Sequence, residues 1–510
     1  MLLMGDLSGI QDFLFDVRES GGKQTATLRF RSLRLQLIVE CIARRVLWAF
    51  DLSENEHLLY CTAGKFAIEA PHAAPNDARL AQIQADVNTW LLANTHGRLR
   101  CAIITDDALG TAAQRNDHAN TKLQRHKLQP WARDLWAEPS LIIPATFDLN
   151  AENERDVETG NRLKNATTIA LTDVSDPPCW TITGVSVRFT DHVPTAAGNG
   201  RSSISLERIV RHTPRHADGS LIEFIDLAQH SRGAPVLGLL KADADSLGAA
   251  IRNRLGTSTS FQPLVDFSRK LDGFFGHTLD QQMSDPRNTR WNLIYTVFAG
   301  GDDLLLVGPW NVLIDFAAHV REQFIREFAA DKLTLSAGCA IVKPKFPIHL
   351  SAQQAEALLE QAKQQPAKHA TSPKDQFAAL GGVWKWDDNA KIINAGKQLA
   401  DWADPDLIDR PIQRGWLHTL LELALLRRGE SASRDASVIP AMATSRLSYH
   451  VARNWPKENA PGEKGQARQG VETVLRHFDN YEQTKDPVTT NLPAVLRYAM
   501  LATRSKGDLE

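Results

Sequence analysis

The sequence has few cysteines, and none of them stand in the paired spacing that zinc sites use. Its 510 residues include five cysteines, and no Cys-x-x-Cys pair occurs. This absence argues against a structural zinc site, because such sites draw on closely spaced cysteine or histidine pairs. Scattered single cysteines are typical of proteins that stay reduced in the cytoplasm. We therefore expect a cytoplasmic protein.

The sequence also lacks a strong charge excess and a long apolar run. Lysine and arginine number 58 against 60 aspartate and glutamate residues, for a formal net charge of −2. This balance argues against a generally basic nucleic-acid binder, although a local basic groove is compatible with it. No stretch approaches the roughly 18 apolar residues of a membrane helix. The N-terminus has no signal-peptide pattern, so no membrane partner is expected.

A weak internal repeat organises the chain. The first copy predicts a strand, a helix, a hairpin, a helix and a strand at 2–9, 26–50, 57–71, 78–93 and 100–105. The second copy predicts the same order at 235–245, 246–276, 291–310, 311–329 and 332–342. This is the βαββαβ order of ferredoxin-like domains. The predicted fold class is therefore α+β, with two such domains.

Four domains are predicted along the chain. The two repeats occupy 1–145 and 234–388, and a small domain lies between them at 146–233. Within that small domain, the glycine- and serine-rich segment 195–205 has the composition of a flexible loop. The last domain, 389–510, has the apolar stripes of a helical bundle.

Two acidic clusters mark the second repeat. Asp243 and Asp245 end its first strand, and Asp302 and Asp303 lie in the turn of its hairpin. We expect the first strand to lie beside the strand leading into the hairpin, so that both clusters meet at one sheet edge. Clustered carboxylates repel each other, and Mg²⁺ relieves the repulsion because it prefers oxygen ligands. The joint pattern predicts a metal site.

Each cluster alone has a more ordinary explanation. Gly300 and Gly301 would supply the positive φ values of a tight hairpin turn, and surface acids beside such a turn usually carry no chemistry. Asp243 and Asp245 alone would fit a solvated strand end. The metal site is favoured because one fold would bring both clusters together.

Several segments of the second repeat resemble GGDEF-type nucleotide cyclases and related polymerase palms. In order, they are LKADADSLG (240–248), FAGGDDLLLV (298–307), LTLSAGCAIV (333–342) and AEALLEQAKQ (355–364). The N-terminal segments GDLSGIQDFLF (5–15), LRFRSLRLQLIVE (28–40) and YCTAGKFAIEAP (60–71) narrow the resemblance. Together they resemble the large subunit of Csm-type type III CRISPR interference complexes, a cyclic oligoadenylate synthase.

The resemblance implies two facing palms that bind two ATP molecules and join them 3′–5′ into cyclic oligoadenylates. Asp302, Asp303 and Asp243 match the catalytic ligands of Mg²⁺ (or Mn²⁺), and Asp245 is a weaker candidate. Lys363 matches a phosphate contact of related cyclases, although an exposed helix lysine explains it equally simply.

The resemblance also suggests other residues that contact ATP. Gly248 would let phosphates approach a helix N-terminus. The first palm has TAGKF (62–66) at its turn, without a carboxylate, so no metal is expected there. The residues that would line or support the second nucleotide there are Asp6, Ser8, Gln11, Gly64 and Lys65. Ser8 is equally suited to cap a helix.

Family resemblance further implies partners. These are backbone, small-subunit and guide 5′-end-binding proteins of a CRISPR effector, together with guide RNA and target RNA. Two alternatives stay open: a catalytically idle scaffold in such a complex, and a stand-alone GGDEF-like cyclase, which leaves GDLSGIQ (5–11) unexplained.

Two family features are missing from the sequence. Many members begin with a His-Asp phosphohydrolase domain that cuts single-stranded DNA, but no His-Asp dipeptide occurs here, so no such nuclease is expected. Many also bind zinc between the palms through paired cysteines. That region has only Cys179, so it is expected to fold without metal.

Overall fold

The computed structural model describes most of the chain as two compact units. The described residues are 1–15, 24–62, 64–71, 77–128, 166–173, 180–191, 201–209, 211–407, 409–428, 439–457, 459–479 and 483–504. The first unit comprises Met1–Glu223, Ser246–Leu305 and Pro347–His349. The second comprises Phe224–Asp245, Leu306–Phe346 and Leu350–Glu510.

The first unit is built on a four-stranded sheet with the predicted βαββαβ order. Its elements are β1 (Leu2–Ser8), α1 (Ile10–Phe15), α2 (Gln24–Ala49), α3 (Glu54–His57), β2 (Leu58–Thr62), β3 (Lys65–Glu69), α4 (Asp77–Thr95), β4 (Arg100–Asp106) and α5 (Ala112–Lys127). The strand order is β2-β3-β1-β4, and β1 runs antiparallel to both neighbours. The apolar positions of α2, such as Leu37, Ile38 and Ile42, are fully buried. Helix and sheet thus share one core, and the predicted α+β class is confirmed.

The expected neighbour of the first strand was wrong. Strand β1 pairs with β3, which leaves the hairpin turn, rather than with β2, which leads into it. The physical reason is direction: after a helical crossover β2 runs parallel to β1, whereas β3 runs antiparallel to it. Inserting β3 between them makes every pair in the sheet antiparallel.

A second sheet repeats this plan and extends it. Its strands are β9 (Leu237–Ala244), β10 (Tyr295–Gly300), β11 (Asp303–Pro309), β12 (Leu335–Val342), β13 (Gln376–Ala379) and β14 (Gly382–Lys385), in the order β10-β11-β9-β12-β13-β14. The first four strands follow the order of the first sheet, so the prediction made for this repeat was also wrong: β9 lies beside β11, which leaves the turn, and not beside β10. Strand β13 adds parallel to β12. The boundary between the two units falls within β11.

The helix predicted at 246–276 is interrupted. The chain forms α8 (Leu247–Leu255), α9 (Gln262–Gly273), a π-helix (Phe274–Thr278) and α10 (Leu279–Ser284). Gly256 ends α8 with a φ of +50°. Phe261 and Leu264 pack with Leu2 and Met4 of the first sheet. This packing explains why these helices belong to the first unit.

A third sheet lies between the two repeats in sequence. It contains β5 (Thr168–Thr172), β6 (Trp180–Ile182), β7 (Val185–Thr190) and β8 (Arg201–Ser205), in the order β6-β7-β5-β8, and is followed by α6 (Leu206–Ile209) and α7 (Phe224–Ala228). The flexible loop predicted at 195–205 is therefore wrong over 201–205. Ile204 is buried opposite Ile169 of β5, and this apolar pair holds the strand in the sheet. Cys179 lies outside the described residues.

The second unit is completed by helices. They are α11 (Trp310–Glu327), α12 (Ile348–Gln364), α13 (Trp386–Trp402), α14 (Arg414–Arg427), α15 (Ile439–Asn454), α16 (Gly462–Asp479), α17 (Pro487–Thr490) and α18 (Leu492–Ala502). Helix α18 packs closely on α13, because Gly396 leaves room for Tyr498: a Cβ there would lie 2.8 Å from the Cβ of Tyr498. Within the described part of the chain, no helix has the length and apolarity to span a membrane.

A buried arginine ties α2 to the third sheet. Arg44 is fully buried and forms ion pairs with Glu40 and Glu54. Its Nε donates to Ser202 Oγ of β8 at 2.8 Å, and Ser202 donates to Glu54 at 2.6 Å. Burial alone would lower the pKa of Arg44, but the two carboxylates outweigh burial and raise it above its ordinary value. The guanidinium therefore stays charged inside the unit.

Replacing Arg44 with methionine is expected to destabilise the protein strongly. The change removes the cation that two carboxylates share, and breaking a buried ion pair costs about 3–5 kcal/mol. The thermal unfolding midpoint of Arg44→Met should fall by several degrees. Arg326→Met is the matched control, because Arg326 and Glu322 form an exposed ion pair, and exposed pairs contribute little. Equal midpoints for the two variants would contradict the structural role of Arg44.

Candidate functional site

The acidic hairpin of the second repeat has a two-residue turn. Strand β10 ends at Gly300 and β11 begins at Asp303, so that Gly301 and Asp302 form the turn. Gly301 has a φ of +62°, whereas Gly300 is a strand residue without a positive φ. The prediction that both glycines need positive φ was therefore wrong for Gly300. Asp302 and Asp303 are both half-buried.

The hairpin of the first repeat also has a glycine with a positive φ between its strands. Strand β2 ends at Thr62 and β3 begins at Lys65. Gly64 has a φ of +84°, and a Cβ there would lie 2.5 Å from Ile10 Cδ1. Its carbonyl accepts a hydrogen bond from Leu7 N at 2.8 Å. Only glycine fits this position, because both the backbone angle and the close approach exclude a side chain.

The first-repeat acid, Asp6, is neutralised by lysines. It is buried, with Lys127 Nζ 2.8 Å from its Oδ2 and Lys65 Nζ 3.8 Å from the same atom. In the β1–β3 ladder Asp6 lies directly opposite Lys65. Ser8, the last residue of β1, is half-buried, and Gln11 is exposed on α1. This sheet edge therefore carries positive charge rather than a set of free carboxylates.

The second repeat uses the same pairing for Asp243. Lys363 Nζ lies 2.5 Å from Asp243 Oδ1, and both side chains are about a quarter exposed or less. Lys363 and Lys127 each lie in the last turn of the helix that follows the fourth strand of their repeat. The two repeats thus share a carboxylate near the end of the first strand and a lysine that neutralises it.

Asp245 is buried and hydrogen-bonded, as a residue with a structural role would be. It is 2% exposed and accepts hydrogen bonds from Thr334 Oγ1 at 2.8 Å, Ser336 Oγ at 2.9 Å and Asp375 N at 3.0 Å. A carboxylate with three donors is well satisfied in the interior of its unit. Its oxygens join β9 to neighbouring segments, which sets Asp245 apart from Asp243.

Two neighbouring cavities in the first unit lie beside the two hairpins. One cavity of about 540 Å³ is lined by residues of β2 and α9, including Tyr60, Thr62, Arg269 and Asp272. A smaller cavity of about 30 Å³ shares Thr62 and Asp272 with it and is lined also by Gly64 and Gly300. The two cavities share lining residues, and the smaller one borders a glycine of each hairpin.

Three charged residues that the sequence did not suggest line both cavities: Arg208, Arg211 and Asp272. Asp272 Oδ1 accepts a hydrogen bond from Thr62 Oγ1 at 3.0 Å. The Glu40 carboxylate, 3.3 Å from Arg208, raises the pKa of this arginine. Burial lowers the pKa of Arg211, against the opposing effect of Asp272 and other acids. No spacing in the sequence connects these residues, because they meet only through tertiary contacts.

The donor set suits a divalent cation only in part. Among the described residues, no group of three or more His, Cys, Asp or Glu side chains is placed to hold a metal ion. The Lys363 ammonium already stands as a cation against Asp243. Half-buried carboxylates at Asp302 and Asp303 are hard oxygen donors of the kind Mg²⁺ prefers. At Gly248, a Cβ would meet only Arg252 Nη1 at 3.7 Å, so the phosphate approach proposed there stays a prediction.

Two family models match the chain. Residues 236–372 match the second palm domain of Cas10/Cmr2, and residues 1–139 match domain B of the Csm1 subunit. The chain belongs to the Cas10/Csm1 family. The two matches fall on the two repeats, the second of them as a palm, and the identification made from the motifs is confirmed.

Curated relatives share about a quarter of their residues with the chain. Both are named CRISPR system single-strand-specific deoxyribonuclease Cas10/Csm1 (subtype III-A). The protein from Mycobacterium tuberculosis is 24% identical over 79% of this chain and 57% of its own length. The protein from Streptococcus thermophilus is 26% identical over 89% of this chain and 62% of its own length. The chain thus spans about three fifths of these relatives.

Solved structures share the fold. A Csm1–Csm4 cassette in complex with cA3 matches 99% of this chain and 69% of its own chain, with a TM-score of 0.72 and 19% identity. A cassette in complex with one ATP matches with a TM-score of 0.71 and 20% identity over the same share of this chain. The fold of these Csm1 chains is therefore the fold of this protein.

Asp245 and Asp243 are expected to respond differently to substitution. Asp245→Ala leaves three buried donors without their acceptor, which costs about 1–3 kcal/mol. It should lower the thermal unfolding midpoint. Asp243→Ala, two residues earlier in the chain, removes a partly exposed carboxylate from its ion pair with Lys363 and should lower the midpoint less. If Asp243→Ala were the more destabilising variant, the assignment of Asp245 as the structural acid would be wrong.

Proposed function

We propose that this chain is the large subunit of a type III CRISPR effector that joins ATP into cyclic oligoadenylates when target RNA is bound. The observation that carries the proposal is the small cavity that is bordered by a glycine of each hairpin, Gly64 and Gly300. Two nucleotides held at two such turns would face each other, as 3′–5′ joining requires. Csm1–Csm4 cassettes solved with one ATP, cA3 and cA4 support this reading.

In this proposal the GGDD palm holds the metal and the donor ATP. Asp302, Asp303 and Asp243 are the proposed ligands. The support comes from analogy with the first palm, in which the β1–β3 ladder sets Asp6 opposite Lys65. The second sheet has the same strand order, and Asp243 and Asp303 are its counterparts of Asp6 and Lys65. When bound, Mg²⁺ or Mn²⁺ would stabilise charge on the α-phosphate and favour loss of the 3′-hydroxyl proton. The carboxylates hold negative charge at the turn, where that cation is needed.

In the proposal, lysines supply positive charge for the phosphates of the two ATP molecules. Lys363 now neutralises Asp243, and a cation at that carboxylate would free the ammonium to bind a phosphate. In the first palm, Lys65 is 45% exposed at its turn, beside buried Asp6. We assign Lys65, with Gly64, Ser8 and Gln11, to the second ATP. Gly300, Gly301 and Gly248 leave room for the first ATP, since none has a side chain.

A scaffold role alone is less well supported. Adjacent half-buried carboxylates at a hairpin tip repel each other, and a scaffold gains nothing from them. A stand-alone GGDEF-like cyclase is disfavoured because residues 1–139 match a Csm1 domain.

The proposed partners are a Csm4-like subunit, other effector subunits, guide RNA and target RNA. The described relatives are named deoxyribonucleases, but this sequence has no His-Asp dipeptide, and DNA cleavage by that route is not proposed.

The proposal is tested with the assembled effector, Mg²⁺, ATP and complementary target RNA. Mass spectrometry should detect cyclic adenylates, and chelation of the metal with EDTA should abolish them. Asp302→Asn with Asp303→Asn should reduce synthesis by at least about 10²-fold, the usual scale for losing an electrostatic catalytic group. Glu322→Gln, an exposed carboxylate change, is the control. No product from the intact complex, or full activity in the double variant, would refute the proposal.

Lys363→Met is expected to weaken ATP binding. Losing one charge-assisted hydrogen bond to phosphate should raise the KM for ATP about tenfold, with a smaller change in kcat. Lys391→Met is the control, because Lys391 is two-thirds exposed on α13. Initial rates over a range of ATP concentrations give both constants. An unchanged KM would mean that Lys363 serves only to neutralise Asp243.

A further inference from the structure

Two arginines that follow β8 in the sequence donate hydrogen bonds to the strands that lead into the two glycine turns. Arg208, in α6, donates from Nη2 to the carbonyl oxygen of Cys61 at 3.4 Å. Arg211, three residues later, donates from Nε to the carbonyl oxygen of Ala299 at 3.2 Å. One short segment of the first unit is therefore bonded to both palms' hairpins.

The two carbonyls occupy corresponding positions. Cys61 is the next-to-last residue of β2, and Ala299 is the next-to-last residue of β10. Both strands lie at an edge of their sheets, where backbone groups not used by the ladder are available to other donors. Each arginine thus holds the same point of its palm, immediately before the turn that carries Gly64 or Gly301.

The Arg211 site is shaped around its guanidinium. Arg211 is only 9% exposed. A Cβ on Gly276 would lie 2.6 Å from Arg211 Nη2 and 3.1 Å from its Cζ. Gly276 lies within the π-helix Phe274–Thr278, an irregularity frequently found at functional sites. A buried cation is costly to desolvate, and an apolar residue would fill the same space without that cost.

Arg208 is held from its other side. Glu40 lies 3.3 Å from Arg208 and also pairs with Arg44. Arg44 in turn donates to Ser202 of β8. A continuous chain of polar contacts therefore leads from the third sheet to the turn of the first palm.

We propose that Arg208 and Arg211 are positioning residues that hold the two glycine turns at a fixed separation, so that nucleotides bound at the turns meet at reacting distance. This inference rests on the proposed function for its catalytic consequence. A misplacement of about 1 Å between reacting groups can lower a rate about 10²-fold. The arginines act on the turns through backbone carbonyls, without touching the nucleotides themselves.

The test compares Arg208→Gln, Arg211→Gln, their double variant and Gly276→Ala in the assembled effector with target RNA. Each single variant should lower kcat about 10- to 100-fold and change the KM for ATP by less than about threefold. The double variant should lose little more than the worse single variant, because residues that act as a unit are non-additive. Gly276→Ala should lower kcat similarly while keeping every charge. Arg211→Lys, which keeps a donor, should recover part of the lost rate.

Controls separate this role from general destabilisation. Arg287→Gln removes a fully exposed arginine of the first unit, 90% accessible, and should behave as the unchanged protein. Hydrogen exchange at residues 62–65 and 300–303 gives a readout that needs no activity, and it should rise in both arginine variants. Should Arg211→Gln fail to fold, Arg208→Gln and Gly276→Ala carry the same test.

The outcomes distinguish the two proposals. Inactive unaltered effector with altered exchange in the variants would refute the proposed function and retain the holding role. Active effector, with folded variants that match it in kcat and exchange, would overturn the arginine inference alone. Purely additive losses, or losses confined to KM, would also overturn it, because neither follows from a fixed separation of the turns.

Discussion

The first unit depends on the burial of the Arg44 guanidinium among Glu40, Glu54 and Ser202. A charge without water must be matched by opposite charge and hydrogen bonds, or the unit would not form. Matching it requires α2, α3 and β8 to come together, although Arg44 and Ser202 lie 158 residues apart. Glu40 then extends the same contacts to Arg208. The buried ion pairs around Arg44 therefore also position Arg208 beside the cavities near the turns.

The two repeats share a strand order and differ in the charge of the residues at their hairpin turns. Both have a carboxylate near the end of the first strand and a lysine in the last turn of a later helix, Asp6 with Lys127 and Asp243 with Lys363. The difference is at the first residue after the turn, which is Lys65 in one palm and Asp303 in the other. The residue before it is Gly64 in one repeat and Asp302 in the other. The two repeats therefore place opposite charges at the turns of a common strand order.

Local patterns predicted much of the fold. The hairpins at 57–71 and 291–310 were predicted well because alternating apolar residues and a glycine turn are local signals. The interruption after Gly256, the strand at 201–205 and the pairing of β1 with β3 depended on packing against distant segments. For the proposed site, the motifs suggested Asp243, Asp302 and Asp303 but gave no sign of Arg208 and Arg211. These arginines donate to the carbonyls of Cys61 and Ala299, and a backbone carbonyl carries no sequence signal.

A catalyst that joins two identical substrates must hold two similar sites in one fixed geometry, and duplicated folds alone do not provide this. Two palms can each bind a nucleotide and still be free to shift against each other. A connecting element bonded to the same atom in both would remove that freedom at small cost, since Arg208 and Arg211 are only three residues apart. Backbone carbonyls are suitable anchors because side-chain changes in the turns, such as Lys65 against Asp303, leave them in place. The third sheet would then act on catalysis through position, while the chemistry of each turn stays free to differ.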